Sequence, residues 1–330
     1  MMTMKGHPTL LVNNASPLKI LFFGTADFAV PSLHALAQSE HQILAVVTQP
    51  DKPSGRGNRV TFSPVKSAAL ELSLTVLQPK RVRSPRFIDQ VRTLNPDLIA
   101  LAAFGQIIPE EVLNIPRLGP INVHGSILPE LRGAAPIQCS LLRGDKRTGV
   151  TTMWMEPTLD TGDILQIREV AIEKTDTTQS LTQKLADTGA QLLLETVAAL
   201  IAGTAVRKPQ DGSLATFAPA IQPADGIINW AEAAWQVDCR IRAMVPKPGS
   251  SAEIKGKRVK IWKAATCEER TEPSSAGTVL AITKEHHSVV VATGNNSAIH
   301  LLEVQPENGK RMAADAWARG LRLVPGDLFS

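Results

Sequence analysis

One stretch decides the fold, INVHGSILPELRGAAPIQ, which runs from Ile121 to Gln138. It begins as a short apolar strand and passes through a loop from Gly125 to Gly133. It then reaches small residues and a proline, which favour the start of a helix. A strand that leads through a loop into a helix is the building unit of parallel α/β sheets. The stretch therefore predicts a sheet of this kind.

The residues on either side repeat the pattern. Short apolar runs alternate with amphipathic segments upstream, at 19–23, 31–37, 43–48, 64–72, 75–78, 86–94 and 97–104. Two extended segments, at 150–156 and 163–172, and a long helix at about 178–201 follow downstream. Buried strands separated by helices indicate a sheet covered on both faces. We therefore predict a Rossmann-like α/β domain over residues 18–204, after a disordered extension over residues 1–17.

The pattern changes after residue 204. Residues 205–223 are rich in Gly, Pro, Ser and Gln and show little periodicity, which indicates a linker. Residues 224–330 hold a helical segment at 230–244 and then several short β-rich runs separated by glycine turns. Closely spaced strands of this kind predict a smaller C-terminal β-barrel domain of OB-like type.

Two polar residues stand at the end of the strand that opens the deciding stretch. Asn122 and His124 are two positions apart, so the strand places them on the same face. Ligands of open α/β sheets bind beyond the carboxyl ends of the strands. An amide and an imidazole at that place can stabilise an oxyanion and move a proton. The pair alone fits equally well with a turn cap and a half-buried histidine.

An acidic turn, LDTGDIL, lies between the two extended segments downstream. A carboxylate close to an imidazole stabilises its protonated form. Asp160 and Asp163 both qualify for this role by composition. Ordinary turn chemistry also accounts for either residue.

The charge of the chain is unevenly distributed. Its net charge is only +4, but residues 49–93 carry nine Lys or Arg against three acids, and residues 247–263 carry six against one. Such local basic surfaces indicate a polyanionic partner, with nucleic acid as the first candidate. A solvated charged face is the alternative. The long loop over residues 49–66 lies within the first surface and holds two arginines, Arg56 and Arg59, close to two glycines.

Cysteine usage and hydropathy limit the class of protein. The three cysteines are Cys139, Cys239 and Cys267, and neither their number nor their spacing forms a disulfide framework, which fits a reducing cytoplasm. No apolar run reaches the length of a membrane span, and no ligand cluster predicts a metal site. The single glycine of FGTADF does not make the dinucleotide-binding fingerprint.

Together these segments resemble the methionyl-tRNA formyltransferase family, a branch of the folate-dependent formyltransferases. The resemblance covers the chain from Lys19 to its end. It rests on the blocks FGTADFAVPSL, QPDKPSGRG, INVHGSILPELRGAAPIQ, MEPTLDTGDIL and RAMVPKPG. It implies transfer of a formyl group from N10-formyl-tetrahydrofolate to the α-amine of charged initiator tRNA. It also implies a cytoplasmic monomer that needs neither a metal nor a membrane.

The resemblance also assigns the site residues. Its catalytic Asn, His and Asp correspond to Asn122, His124 and Asp160, which favours Asp160 over Asp163. Its folate-contacting stretch corresponds to Ser126, Ile127, Leu128 and Pro129. The tRNA contacts that it implies are Lys52, Arg56, Arg59, Lys66 and Lys247.

Three other functions are weighed against this one. A formyltransferase for a nucleotide sugar or a purine precursor, or a formyl-folate hydrolase, keeps the chemistry but needs neither the basic loop nor the β-rich second domain. A nicotinamide-dependent oxidoreductase would need the missing glycine fingerprint. An RNA-binding module without catalysis would not need Asn122 and His124 above an acidic turn.

Overall fold

The computed structural model describes residues 17–54, 59–267 and 274–330. The predicted disordered extension therefore lies outside the described residues except for Pro17, and Arg56 lies outside them too. The described chain forms an N-terminal α/β domain and a C-terminal β-rich domain. The α/β domain has a hydrophobic core on each face of its sheet, and the second domain has a core of its own.

The N-terminal domain contains ten strands and six α-helices among the described residues. The strands are β1 (Lys19–Gly24), β2 (Gln42–Val47), β3 (Lys52–Ser54), β4 (Arg59–Thr61), β5 (Val76–Leu77), β6 (Leu98–Ala102), β7 (Pro120–His124), β8 (Arg132–Gly133), β9 (Arg147–Trp154) and β10 (Ile164–Ala171). The helices are α1 (Val30–Ala37), α2 (Pro64–Glu71), α3 (Pro85–Leu94), α4 (Glu110–Leu113), α5 (Pro136–Arg143) and α6 (Thr178–Ile201).

Seven of these strands form the central sheet, in the order β10-β9-β7-β6-β1-β2-β5. The pairs from β7 to β5 are all parallel, which confirms the predicted Rossmann-like arrangement. The last two strands differ from a purely parallel sheet, because β9 runs antiparallel to β7 and β10 runs antiparallel to β9. A short connection joins β9 to β10, and only antiparallel strands can be joined in that way.

Both faces of the sheet are covered because its strands are apolar on both sides. Ile20 and Phe22 of β1 pack into one core, together with residues of α1, α2, α5 and α6. Leu21 and Phe23 point the other way, into a core that includes residues of α3 and α4. This alternation explains why β1 reads as a continuous apolar run. The carboxyl ends of the parallel strands remain open at one edge of the sheet.

The remainder of the chain forms the linker strand and the C-terminal domain. Its elements are β11 (Phe217–Ala218), α7 (Ala234–Met244), β12 (Ser250–Ile254), β13 (Lys257–Thr266), β14 (Val279–Thr283), β15 (Ser288–Thr293), β16 (Ser297–Pro306), β17 (Met312–Ala313) and α8 (Ala314–Leu321). Strands β12 to β16 form an antiparallel sheet in the order β12-β13-β16-β15-β14, and β17 adds to β16.

The end of the chain closes this sheet into the predicted barrel. Phe329 bridges to Ile254 on the edge strand β12, and Leu328 bridges to Thr278 beside β14 at the opposite edge. The Ser330 and Glu253 backbones exchange two hydrogen bonds of 2.8 and 3.0 Å. Closure in this way pairs both edges of the sheet. Neither this closing segment nor α8 is predicted by the sequence pattern.

Helix α6 approaches the central sheet closely at Gly189. A Cβ atom added there would lie 2.8 Å from a methyl carbon of Val123 in β7 and 3.3 Å from one of Val150 in β9. Val123 lies between Asn122 and His124. This contact therefore fixes how closely α6 packs against β7, the strand that carries them. The glycine is therefore explained by packing rather than by backbone conformation.

We expect Gly189→Ala to lower the free energy of unfolding by about 1–3 kcal/mol, because overpacking a filled core forces side chains and backbone apart. Urea denaturation measures this change. Gly320→Ala is the matched control, since Gly320 also lies in a helix but has open space where a Cβ would stand. Its expected effect is a gain of up to about 1 kcal/mol from helix propensity. Equal effects in the two variants would contradict the packing argument.

Candidate active site

Strand β7 carries Asn122 and His124 to the open edge of the sheet. It lies between β6 and β9 and is buried along its whole length. Ile121 and Val123 enter the core shared with α5 and α6, so Asn122 and His124 point to the other side. Their exposed fractions are 9% and 6%. The amide oxygen Oδ1 of Asn122 is buried and has no hydrogen-bond partner among the described residues.

The imidazole of His124 is held from two sides. Its Nε2 lies 3.1 Å from the carbonyl oxygen of Leu131, and its Nδ1 lies 3.7 Å from Oδ2 of Asp160. A carbonyl oxygen can only accept a hydrogen bond, so Nε2 carries a hydrogen and donates it. The other nitrogen then faces the carboxylate. Protonation of Nδ1 would make His124 a cation whose counter-ion is already in place.

Asp160 is positioned by backbone groups as well as by its neighbour. Its Oδ2 accepts a hydrogen bond of 2.9 Å from the N–H of Gly133, and its own φ of 54° lies in the left-handed region. Non-glycine residues adopt that region rarely and at a cost, which neighbouring contacts must offset. Asp163 lies elsewhere, in an ion pair of 2.8 Å with Arg207. The structure thus brings Asp160, and not Asp163, to His124.

These three residues line one cavity of about 600 Å³. Most of the remaining lining is apolar and comes from the loop after β6, from the end of β9 and from the start of α5, with Phe104, Ile108, Met153, Met155 and Pro136 among the lining residues. Ile107 and Leu159 also line the cavity although their exposed fractions are 74% and 61%. A mostly apolar cavity with a few convergent polar groups is typical of a small-molecule site.

The predicted linker takes part in the site. Strand β11 pairs in parallel with β8, so residues 217–218 of the linker hold the loop that contains Leu131 and Gly133. The N–H of Arg132 also donates to the Thr216 carbonyl at 2.9 Å. The low periodicity of residues 205–223 gives no sign of this strand, because two-residue strands leave no periodic pattern. The linker thus supports the groups that hold His124 and Asp160.

Gln210 is the linker residue that contacts the acidic turn. Its Nε2 donates to the carbonyl oxygens of Asp160 and Gly162 at 2.9 and 2.7 Å. Its Oε1 accepts two hydrogen bonds, of 3.1 and 2.7 Å, from the buried guanidinium of Arg132. Sequence reasoning found neither Gln210 nor Arg132. Only membership of Arg132 in the LRGAAP block could have drawn attention to it.

We expect Gln210→Met to lower kcat about 10- to 100-fold while KM for both substrates stays within about twofold, because a small displacement of Asp160 costs rate rather than affinity. Steady-state kinetics separates the two effects. Gln222→Met is the matched control, since it makes the same change in the same linker at a side chain that bonds to the Ala220 carbonyl and caps the turn that follows, away from the acidic turn. A rise in KM without loss of kcat would contradict a positioning role for Gln210.

The four residues predicted to contact folate lie on the loop that follows β7. The Ser126 hydroxyl donates to the Glu130 carbonyl at 2.6 Å, and the N–H of Leu128 donates to the Thr151 hydroxyl at 3.1 Å. Ser126 and Leu128 are buried, and Ile127 and Pro129 are half-buried. None of the four lines the cavity, although the adjacent Gly125 does. Their contact with folate stays a prediction.

The residues predicted to contact tRNA lie in two places. Lys52 and Arg59 stand on β3 and β4, which pair as a small hairpin. Lys66 is in a close ion pair with Asp51 and lies 3.9 Å from the centre of the Phe62 ring, and its hydrogen bond holds the pKa of Asp51 below its ordinary value.

The Lys66 side chain therefore makes its contacts within the protein, and only 13% of it is exposed to solvent. Lys247 is exposed, beyond α7. The tRNA contacts of all these residues stay predictions.

Two further findings concern the chain as described. No helix within the described ranges is long and apolar enough to cross a membrane. Residues 17–54, 59–267 and 274–330 also contain no group of three or more His, Cys, Asp or Glu that could hold a metal ion.

Comparison with known proteins places the chain in a family. Residues 18–197 match the formyl transferase family, and residues 220–322 match the formyl transferase C-terminal domain. A methionyl-tRNA formyltransferase of Bacillus subtilis (strain 168) is 44% identical over 313 residues, which cover 94% of this chain and 97% of the relative. A second methionyl-tRNA formyltransferase, from Geobacter metallireducens, is 42% identical over 309 residues, which cover 94% of this chain and 97% of the relative.

Solved structures resemble the fold at lower identity. One is the sugar 3N-formyl transferase WlaRD, crystallised with dTDP and 5-N-formyl-THF. It aligns with a TM-score of 0.65 and 18% sequence identity, and the alignment covers 90% of this chain and 100% of the WlaRD chain. At this identity the similarity concerns the fold alone.

Proposed function

Since the chain belongs to the formyl transferase family, we propose that it transfers the formyl group of N10-formyl-tetrahydrofolate to the α-amine of methionyl initiator tRNA. The observation that carries this proposal is the convergence of Asn122, His124 and Asp160 on one cavity. The relatives at 42–44% identity, which match nearly the whole chain, support the acceptor. The folate named with the sugar formyltransferase structure supports the donor.

The cavity fits a formyl-folate by its size and by its polar groups. Its volume of about 600 Å³ lies within the range of small-molecule sites, and its apolar lining suits a flat heterocycle. The buried Oδ1 of Asn122 has no partner among the described residues, so this oxygen is free to accept a hydrogen bond from a bound ligand. Buried polar groups ordinarily have partners, which indicates that a ligand completes this one.

Formyl transfer forms a bond from the formyl carbon to the acceptor nitrogen and breaks the bond to N10. One proton leaves the acceptor amine and one is gained at N10, so the reaction is balanced without a metal or an oxidant. The formyl-folate supplies the activated carbonyl carbon. The protein must therefore stabilise the oxygen while it carries negative charge, and it must help the proton to move.

Asn122, His124 and Asp160 divide these tasks. The Asn122 amide can donate to the formyl oxygen from the floor of the cavity. His124 already donates from Nε2 to the Leu131 carbonyl, so it contributes the charge of its protonated ring rather than a hydrogen bond from that atom. Asp160 stabilises this cation across 3.7 Å, a separation that can shorten once the ring is protonated. Its carboxylate also organises the path of the amine proton.

The acceptor is tested by offering several amines in parallel. Labelled N10-formyl-tetrahydrofolate is incubated with charged initiator tRNA, elongator methionyl-tRNA and an amino-sugar nucleotide. We expect rapid transfer to the initiator tRNA alone. Transfer only to the amino sugar would overturn the acceptor and leave the family assignment intact.

The remaining assignments complete the proposal. The protein works in the cytoplasm as a monomer, with charged initiator tRNA and the folate co-substrate as its partners. All three cysteines are unpaired, which supports a reducing compartment.

A further inference from the structure

A second concavity opens at the same edge of the central sheet. It has a volume of about 640 Å³ and lies between the end of β5 and the first turns of α3. We call it the α3 groove and define it by Gln78, Lys80, Arg81, Ser84, Arg86 and Gln90, which line it with Leu77, Pro79 and Phe87. None of these residues is among the predicted site residues.

The α3 groove is positively charged, and no acid among the described residues neutralises its charge. Lys80, Arg81 and Arg86 are exposed, and none of them forms an ion pair within the described ranges. No Asp or Glu lines the groove. Asp89, which also lies on α3, is paired with Arg92. Three free cations around an open concavity attract an anion, and arginine forks bind phosphate oxygens especially well.

A network of glutamines joins this groove to the candidate active site. The Gln78 side chain donates to the Gln49 carbonyl at 2.9 Å, and the Gln49 side chain accepts from Gln106 at 3.3 Å. Gln106 also accepts a hydrogen bond of 3.1 Å from the N–H of Val82, in the loop that forms the groove. Because Gln106 lines the active-site cavity, the groove and the cavity share a wall.

The sheet gives the distance between the two sites. Strand β5, at the groove, is four strand spacings away from β7, which carries Asn122 and His124. At about 4.8 Å for each spacing, the separation across the sheet is about 19 Å. A small anion cannot reach both places, but a few nucleotides of an RNA strand can.

We propose that the α3 groove binds the phosphodiester backbone of the acceptor arm of the tRNA whose aminoacyl end enters the active-site cavity. This inference rests on the proposed function. Lys80, Arg81 and Arg86 contact successive phosphates. The glutamine network keeps the groove at a fixed position relative to the cavity. The contacts add affinity without reading sequence, as backbone contacts do.

The test compares groove charges with a neighbouring charge outside the groove. The triple variant Lys80→Gln, Arg81→Gln, Arg86→Gln should bind charged initiator tRNA at least tenfold more weakly at about 0.1 M salt. Its plot of log affinity against log salt should be shallower by about 2–3. Arg83→Gln is the matched control, because Arg83 is exposed in the same segment but does not line the groove. It should change the slope by less than one.

Formyl transfer measured in the same samples separates this inference from the proposed function. We expect kcat at saturating tRNA to stay within twofold in the triple variant while KM for tRNA rises. An unchanged affinity and salt slope in a triple variant that still transfers formyl groups would overturn the groove alone. An equal loss in Arg83→Gln would overturn it too, in favour of diffuse surface charge.

The source of the phosphate is tested with inorganic phosphate at constant ionic strength. If inorganic phosphate at millimolar concentration binds the wild-type chain but not the triple variant, while both chains bind tRNA equally, the groove binds free phosphate and the RNA contact is wrong. A wild-type chain that binds no charged tRNA would overturn both the proposed function and this inference.

Discussion

Replacing His124 with alanine should lower kcat for formyl transfer about 10²- to 10³-fold, the range expected when one preorganised group that stabilises the oxyanion is lost. KM for charged tRNA should stay within about threefold, since the side chain is buried at the cavity floor and holds no exposed charge for the RNA. Single-turnover measurements with saturating folate isolate the chemical step. Wild-type turnover in this variant would contradict the assignment.

A double-mutant cycle tests whether His124 and Asp160 act as a pair. Asp160→Asn keeps the size of the side chain and can still accept the hydrogen bond from Gly133, but it removes the negative charge opposite Nδ1. Alone it should cost about 10²-fold in kcat, and in the His124→Ala background it should cost markedly less, because only its part in the path of the amine proton then remains to be lost. Additive losses would show that Asp160 acts on the substrate independently of His124.

Stability must be measured beside activity in these variants. Loss of the His124 ring leaves the Leu131 carbonyl without its donor, and an unsatisfied buried acceptor costs about 1–3 kcal/mol. Urea denaturation shows whether the variant remains folded at the assay temperature. A fall in kcat without unfolding then reports on the chemistry.

The parts of the site that sequence predicts are those set by local geometry. Asn122 and His124 share a face because a strand has a period of two, and they lie at the open edge because a parallel sheet exposes the ends of its strands. Both rules act over a few residues, so the sequence around the pair contains the necessary information. Burial of both side chains follows from the flanking strands β6 and β9.

The choice between Asp160 and Asp163 depends on contacts that composition does not show. Both stand in the same turn, and turn chemistry treats them alike. The structure distinguishes the two residues by long-range hydrogen bonds. The Asp160 carboxylate accepts one from Gly133, 27 positions away, and the Asp160 carbonyl accepts one from Gln210, 50 positions away. Only the resemblance to a family pointed to Asp160 in advance, because such long-range contacts leave no periodic signal.

The same limit applies to the linker and to the barrel. Strand β11 is two residues long and pairs with a strand about 85 residues earlier, so neither length nor period reveals it. The barrel closes through residues 328–330, whose partners lie at both edges of the sheet. The five β-rich runs predict the strands well, because each is a short β-rich run bounded by turn residues, whereas closure depends on where the chain returns.

Asn122→Leu should lower kcat about 10²- to 10³-fold, the loss that follows removal of one oxyanion donor. Leucine has nearly the same shape as asparagine but offers no hydrogen bond to the formyl oxygen. Because Oδ1 of Asn122 is buried without a partner among the described residues, the free energy of unfolding should not fall. The variant should therefore be as stable as the wild-type chain and still inactive, which separates catalysis from folding.

Met155→Leu is the matched control for this prediction. Met155 lines the same cavity but has no strong hydrogen-bonding group, and a volume-conserving apolar exchange is usually well tolerated. Its kcat should stay within about threefold of the wild-type value. If Asn122→Leu and Met155→Leu reduce kcat equally, the cavity requires only its shape and Asn122 donates nothing to the reaction. If only Asn122→Leu loses activity while both variants remain folded, the Asn122 amide acts on the charge that develops during transfer.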